Sequence, residues 1–167
     1  MNIILTQDPQ FLLRFATPDD AGLVVSLMQK LGASRKKMAG KITATEQDIR
    51  RLLADKKGEA VFGIHGGQTV GLVYFYQASS AFTGQSRLHI DGFLIEETLR
   101  FKGPGKVMMS FMARLALDRG CQQLEWGCLD WNKPTARFSK RLGAHSVDTL
   151  TLYQIAPDQL KASAAQF

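Results

Sequence analysis

The first apolar run, residues 11–16, is followed by Thr17-Pro18-Asp19-Asp20. Thr17 suits an N-cap, Pro18 the first helical position, and Asp20 the third, where a carboxylate meets amides without intrahelical acceptors. Leu23, Val24, Leu27, Met28 and Leu31 then recur at i, i+3 and i+4. This spacing predicts an amphipathic helix, stopped by Gly32. Residues 33–44 carry Arg35, Lys36, Lys37 and Lys41 without periodicity and read as a mobile basic loop. Thr45 with Asp48 opens a second helix through Ile49, Leu52 and Leu53, ending near Gly58.

The period then changes from helical to alternating. Residues 60–65 and 69–77 are rich in Val, Ile, Tyr and Phe and flank Gly66-Gly67, which predicts a tight hairpin. After a polar stretch, 78–85, residues 88–95 read as a third long strand interrupted by Asp91-Gly92. Glycine inside a strand marks a bulge or a close backbone approach. A Gly-rich turn follows, then a helix on Val107, Met108, Phe111, Met112 and Leu115 that ends at Gly120. Residues 123–129 predict a strand, 132–142 a short helix with Pro134 in its first turn, and 145–155 a last strand. The order is strand, two helices, three strands, helix, strand, helix, strand. It predicts an α/β protein with a mixed, mostly antiparallel central sheet flanked by helices. No repeat or composition break divides it, so one domain is expected over 1–155, with 156–167 as a tail.

A chain of 167 residues that is 45% hydrophobic and 22% charged buries a sizeable core without metals or disulfides. No apolar run approaches the ~20 residues of a bilayer span, so no membrane partner is expected. The first fifteen residues lack a basic n-region and are interrupted by Asp8, Pro9 and Arg14, unlike a signal peptide. Cys121 and Cys128 make neither a disulfide framework nor metal-ligand spacing. They read as reduced residues of a cytoplasmic protein. The net charge of +6 fits nucleic acid, a polyanionic nucleotide ligand or a merely solvated surface. The absence of an aromatic-basic pattern counts against nucleic acid.

Chemistry concentrates in Arg100-Phe101-Lys102-Gly103-Pro104-Gly105-Lys106. Glycines let backbone N–H groups approach a ligand, and the following helix N-terminus favours phosphate. Lys102 and Lys106 add formal charge. A plain helix start with Pro104 in its first turn is the alternative. The turn lacks the earlier glycine and the Ser/Thr of a P-loop, and the third glycine of a dinucleotide fingerprint.

Placed in order, the segments resemble the GNAT acetyltransferase superfamily from Phe11 to Ile155. One motif is Arg100-Phe101-Lys102-Gly103-Pro104-Gly105, for Arg/Gln-x-x-Gly-x-Gly/Ala. The other is the stretch from Trp126 to Ala144, whose Asn132-Lys133-Pro134 and Phe138-Ser139-Lys140-Arg141-Leu142-Gly143-Ala144 look most like the diamine N-acetyltransferase branch. The resemblance implies acetyl-CoA as co-substrate, no metal, and a splay between the fourth and fifth strands. Pantetheine would lie along the backbone of Phe93, Leu94, Ile95 and Glu96. The pyrophosphate would sit on Arg100, Phe101, Lys102, Gly103, Gly105 and Lys106, with one donor lost at Pro104. Asn132 would reach the pantetheine arm, or serve only as an N-cap. Lys140, with Arg137 and Arg141, would approach phosphates, or line a solvated helix face.

Asp91 aligns with the family's catalytic glutamate, and burial would make it a better base. The alternatives are a bulge-forming or solvent-facing Asp91, with Glu96, Glu97 and His89 as competing groups. Ser139 stands where the family has a tyrosine acid. The implied function is transfer of an acetyl group from acetyl-CoA to a primary amine of a small molecule. The alternative is a non-catalytic acetyl-CoA sensor or subunit. The family analogy also leaves a homodimer open.

Overall fold

The sheet has six strands in sequence order: β1 (Ile3–Leu5), β2 (Phe11–Phe15), β3 (Glu59–His65), β4 (Gln68–Ser79), β5 (Ser86–Ile95) and β6 (Gln123–Trp126). The computed structural model describes residues 3–34, 42–100, 102–129, 131–147 and 152–166. They fall in two compact units, Met1–Gly127 and Cys128–Phe167. In the first unit β1 to β5 run antiparallel, and β6 lies parallel to β5. The crossover between β5 and β6 is α3 (Pro104–Asp118), as a parallel connection requires. Helices α1 (Ala21–Ser34) and α2 (Glu46–Ala54) lie between β2 and β3 in the chain.

The helical spacing works as expected. Val24, Leu27 and Leu31 of α1 and Ile49 and Leu53 of α2 are buried with Phe62, Leu72, Tyr74 and Leu94 of the sheet. Each such side chain contributes roughly 1.5–3 kcal/mol by leaving water. On α3, Phe111 meets Phe15 edge-on with ring centroids 6.0 Å apart. Gly63 and Gly71 face each other across β3 and β4, and a Cβ on either would come within 3.0 Å of the Met108 sulfur. This glycine pair therefore lets α3 lie close to the sheet, and α3 carries the Gly-rich turn at its start.

The hairpin turn has Gly66 at φ +56° and Gly67 at φ +78°, both in the left-handed region that a type I′ turn demands. The Asp91-Gly92 interruption is a bulge. Tyr74 pairs with Gly92 and Phe75 with Ile90, so Asp91 is the extra residue. The N-cap at Thr45 forms its box with Asp48. At Thr17 the Asp20 carboxylate accepts the Thr17 amide at 2.8 Å and receives both Nη groups of the part-buried Arg14 at 2.8 Å.

The Arg14 hydrogen bonds outweigh desolvation and hold the Asp20 carboxyl down at about 2. A depressed folded-state value contributes stability above the unfolded value and loses it as pH falls through the folded one. Asp20→Asn should thus lower Tm most at neutral pH, with the difference from wild type shrinking between about pH 4 and 2. A constant difference across that window in acid melts would contradict this.

Four expectations are corrected. Gly32 does not stop α1, which runs to Ser34, because burial of Leu31 outweighs the ~1 kcal/mol propensity cost of one glycine. An unexpected β1 pairs with β2; three residues are too few to show a period. The strand expected over 123–129 ends at Trp126. The strand expected over 145–155 is absent from residues 144–147 and 152–156, which have no regular structure, and the tail forms α5 (Pro157–Ala164). Isolated alternation does not make a strand without a neighbour to pair with. The centre of the basic loop, residues 35–41, lies outside the described residues. No described helix is long and apolar enough to cross a membrane.

Candidate active site

The turn after β5 is built from the backbone outward. Gly103, the N-cap of α3, has φ +109° and ψ −32°, a conformation L side chains rarely adopt. Pro104 takes N1, where an amide would lack an intrahelical acceptor anyway. The first intrahelical bond runs from the Val107 amide to the Gly103 carbonyl, at 3.1 Å. The amides of Gly105 and Lys106 therefore have no intrahelical acceptor. Lys102, Gly103 and Lys106 are exposed around them. Together they make a concave, donor-rich, positively charged turn suited to phosphate oxygens.

Arg100 has a different role from the one its place in the motif implied. Its Nε donates to the Ile95 carbonyl at 3.1 Å and its Nη1 to Glu97 at 3.3 Å. It thereby ties the turn to the end of β5. Phe101 lies outside the described residues. The Ile95 carbonyl is already engaged, and the Glu96 amide donates to the Val70 carbonyl at 2.8 Å. The backbone available on β5 thus narrows to its stretch before Ile95, including Phe93 and Leu94.

That stretch is where β5 loses a neighbour. The parallel ladder with β6 covers four pairs, from Arg87–Gln123 to Ile90–Trp126, and stops there, while β5 continues to Ile95. This is the splay implied from sequence, between β5 and β6 once β1 is counted. The bulge sits at its start and turns Asp91 outward. The expectation that Asp91 is buried is therefore not met: it is exposed, because the extra residue of a bulge leaves the inward–outward alternation.

Asp91 borders a cavity of about 280 Å³, near the lower end of small-ligand pockets. Val25 and Met28 of α1, Ile49 and Leu52 of α2, and Tyr74 of β4 form much of its wall, and Asp91 is the only charged residue lining it. Two glycines shape this wall. A Cβ on Gly92 would come 2.6 Å from the Met28 sulfur, and one on Gly58 would overlap the Tyr74 hydroxyl. Burial, and secondarily the Asp91 charge, push the Tyr74 hydroxyl up from its ordinary value, so it stays a neutral donor. The rival carboxylates are engaged: Glu96 pairs with Lys30 and Glu97 with Arg100.

On the same sheet face, farther along β4 and β5 from Tyr74, lies a polar cluster. The His89 ring stacks on Tyr76 at 4.9 Å between centroids. Its Nδ1 donates to Glu125 Oε1 at 2.9 Å, and Arg87 Nε donates to the same oxygen at 2.7 Å. Burial works to raise the Glu125 carboxyl, but the His89 and Arg87 bonds outweigh it and hold the carboxyl below its usual range. Arg87, Glu125 and Tyr76 were not singled out from sequence. Arg87, His89 and Asp91 do recur at every second residue of β5, the one available signal, but no spacing rule brings Glu125 to them across 36 residues.

In the second unit, Asn132 is the N-cap of α4 (Lys133–Arg141), its side chain accepting the Thr135 amide at 3.3 Å, and it is buried. The Ser139 hydroxyl donates to the Thr135 carbonyl at 2.9 Å. Lys140 is exposed in the last turn. Cys121 is buried and Cys128 exposed, both free. Among the described residues no group of three or more His, Cys, Asp or Glu is placed to hold a metal ion.

Comparison with known proteins agrees with this geometry. Residues 28–144 match the model of the acetyltransferase (GNAT) family. The chain is 32% identical over 117 residues to a thialysine N-epsilon-acetyltransferase of Caenorhabditis elegans, covering 70% of this chain and 72% of that one. It is 26% identical over 117 residues to an L-ornithine N5-acetyltransferase of Arabidopsis thaliana, covering 70% of this chain and 48% of that one. The fold superposes on an aminoglycoside acetyltransferase from an uncultured soil metagenomic sample with a TM-score of 0.76 at 12% identity, over 90% of this chain and all of that one. With the bulged strand, the Gly103 turn and the α3 N-terminus in the order the family requires, the chain belongs to the acetyltransferase (GNAT) family and is an acetyltransferase.

Proposed function

We propose that the chain transfers the acetyl group of acetyl-CoA directly to the primary amine of a small molecule. The observation that carries this reading is the cavity whose one charged lining residue, Asp91, stands where β5 loses β6 as a neighbour. The exposed Lys102 and Lys106 and the free first-turn amides of α3 fit a pyrophosphate, and the β5 backbone before Ile95 fits an extended amide-bearing chain. Acetyl-CoA supplies a thioester, an acyl group already activated for attack. Phe93, Leu94, Lys102, Gly103, Gly105, Lys106, Asn132 and Lys140 are the residues we propose hold it.

An alkylamine with a pKa near 10.4 arrives protonated and must lose that proton before attacking. Asp91, which makes no hydrogen bond or ion pair among the described residues, accepts it directly or through water. The apolar wall around it excludes bulk solvent from the amine's carbon chain. The relatives named for thialysine and ornithine support a side-chain amine as acceptor. The test is release of free CoA from acetyl-CoA across a panel of diamines, basic amino acids and aminoglycosides. No release with any amine, despite binding of CoA, would overturn the reading.

The departing sulfur has a parent thiol pKa of ~8.5 and leaves tolerably as thiolate. We propose that Ser139 offers it a hydrogen bond by turning its hydroxyl from Thr135. The Ser139–Thr135 bond also favours a second reading, an acetyl-CoA-binding subunit without turnover, which the same CoA-release assay separates. Ser139→Tyr should raise turnover several-fold if a stronger acid was missing; unchanged turnover would show that none is needed. A cytoplasmic setting and a homodimer remain part of this proposal, the latter to be read from light scattering.

A further inference from the structure

The cluster beside the cavity has donor and acceptor atoms left over. Arg87 uses only its Nε, and Glu125 receives both of its bonds on Oε1. The Arg87 Nη groups and Glu125 Oε2 therefore take no partner among the described residues. The side chains are 33% and 42% exposed, so these atoms reach solvent. The Tyr76–His89 stack fixes the imidazole, and Glu125 fixes its tautomer, because a carboxylate only accepts. Both parts of the face are therefore rigid.

Tyr76 follows Tyr74 by two residues on β4, and His89 precedes Asp91 by two on β5, so cluster and cavity are consecutive on one sheet face. Two strand residues span about 7 Å, comparable to an extended lysine side chain. Resting on the acetyltransferase reading above, we infer that Arg87 and Glu125 form a clamp for an α-amino-acid head group, so that the acceptor is a free basic amino acid whose side-chain amine reaches Asp91. The two Nη groups of Arg87 match a carboxylate in fork geometry, and Glu125 Oε2 accepts from the α-ammonium. The pair is neutral as a whole and so complements a zwitterion. The far ammonium of a diamine would meet Glu125 beside the positive Arg87, with no carboxylate to offset that charge, which selects against it.

The experiment compares the full chain's initial rates with L-lysine and L-ornithine against cadaverine and putrescine, which differ from them only by the α-carboxylate. A charge-assisted hydrogen bond contributes ~1.5–3 kcal/mol, and 1.4 kcal/mol is tenfold. The amino acids should thus exceed the diamines by about 10-fold or more in kcat/KM, chiefly through KM. Arg87→Gln should remove that advantage while changing the diamine rates less than about 3-fold, and Arg87→Lys should restore part of it. Equal use of lysine and cadaverine by wild type overturns the clamp and needs no variant. An equal fall for both substrates in Arg87→Gln also overturns it, since a purely structural Arg87 predicts that result. If no amine is acetylated, the transferase reading fails by itself. Calorimetric titration with L-lysine against cadaverine still decides the clamp: binding of lysine alone, lost in Arg87→Gln, upholds it, and no lysine binding overturns it.

Discussion

Replacing Asp91 by Asn should lower kcat by about 10²- to 10⁴-fold, the range that a positioned proton acceptor supplies, while leaving affinity for CoA unchanged. Asn keeps the size of the side chain and suits the bulge, so the loss reports the carboxylate rather than the fold. The reason lies in the cavity. Asp91 is its only charged lining residue, and the neighbouring carboxylates Glu96 and Glu97 are held by Lys30 and Arg100, so no other group stands ready to take the proton. The deficit should also shrink as pH rises toward the amine's own pKa of ~10.4, because more of the substrate then arrives already deprotonated. Steady-state rates from pH 7 to 10 with one good acceptor read this directly. Wild-type turnover in Asp91→Asn at pH 7 would remove Asp91 from the mechanism.

Gly103→Val should weaken CoA binding by about 10- to 100-fold with a smaller effect on folding. Space is not the obstacle, since a Cβ at Gly103 would meet nothing within 4 Å. The backbone is. At φ +109° a β-branched residue costs on the order of 1–3 kcal/mol, and the turn escapes that strain by rotating its peptide planes. Rotation turns the Gly105 and Lys106 amides away from where a pyrophosphate would meet them, and each misdirected hydrogen bond to a charged group forfeits ~1.5–3 kcal/mol. Titration calorimetry with CoA gives the affinity, and thermal melting without ligand gives the stability. Tight binding in a folded Gly103→Val protein would mean that phosphate is held elsewhere.

Part of this was legible along the chain because the physics involved is local. The 3.6-residue period of α1, α2 and α3 and the Gly66-Gly67 turn follow from each residue's own conformational preferences and from which face it must bury. The Thr45–Asp48 cap and the bulge at Asp91-Gly92 are equally short-range. The Gly103 turn and the family it points to were readable for the same reason: a positive φ and a helix start involve only a handful of consecutive residues. The two elements misjudged, β1 and the strand expected over 145–155, depend on a partner strand, which a one-dimensional pattern does not contain.

Tertiary structure decided everything that needs residues distant in sequence. It turned Asp91 out of the core and onto the rim of a cavity walled by α1, α2 and β4. It committed Arg100 to the Ile95 carbonyl and Glu96 to Lys30, narrowing the candidates that sequence left equal. It also brought Glu125 onto one oxygen-sharing contact with Arg87 and His89. Sequence thus determined which segments carry the chemistry, since backbone preference acts over a few residues. Which side chains face one another was set only when the sheet closed, because alternation names a face without naming its neighbour.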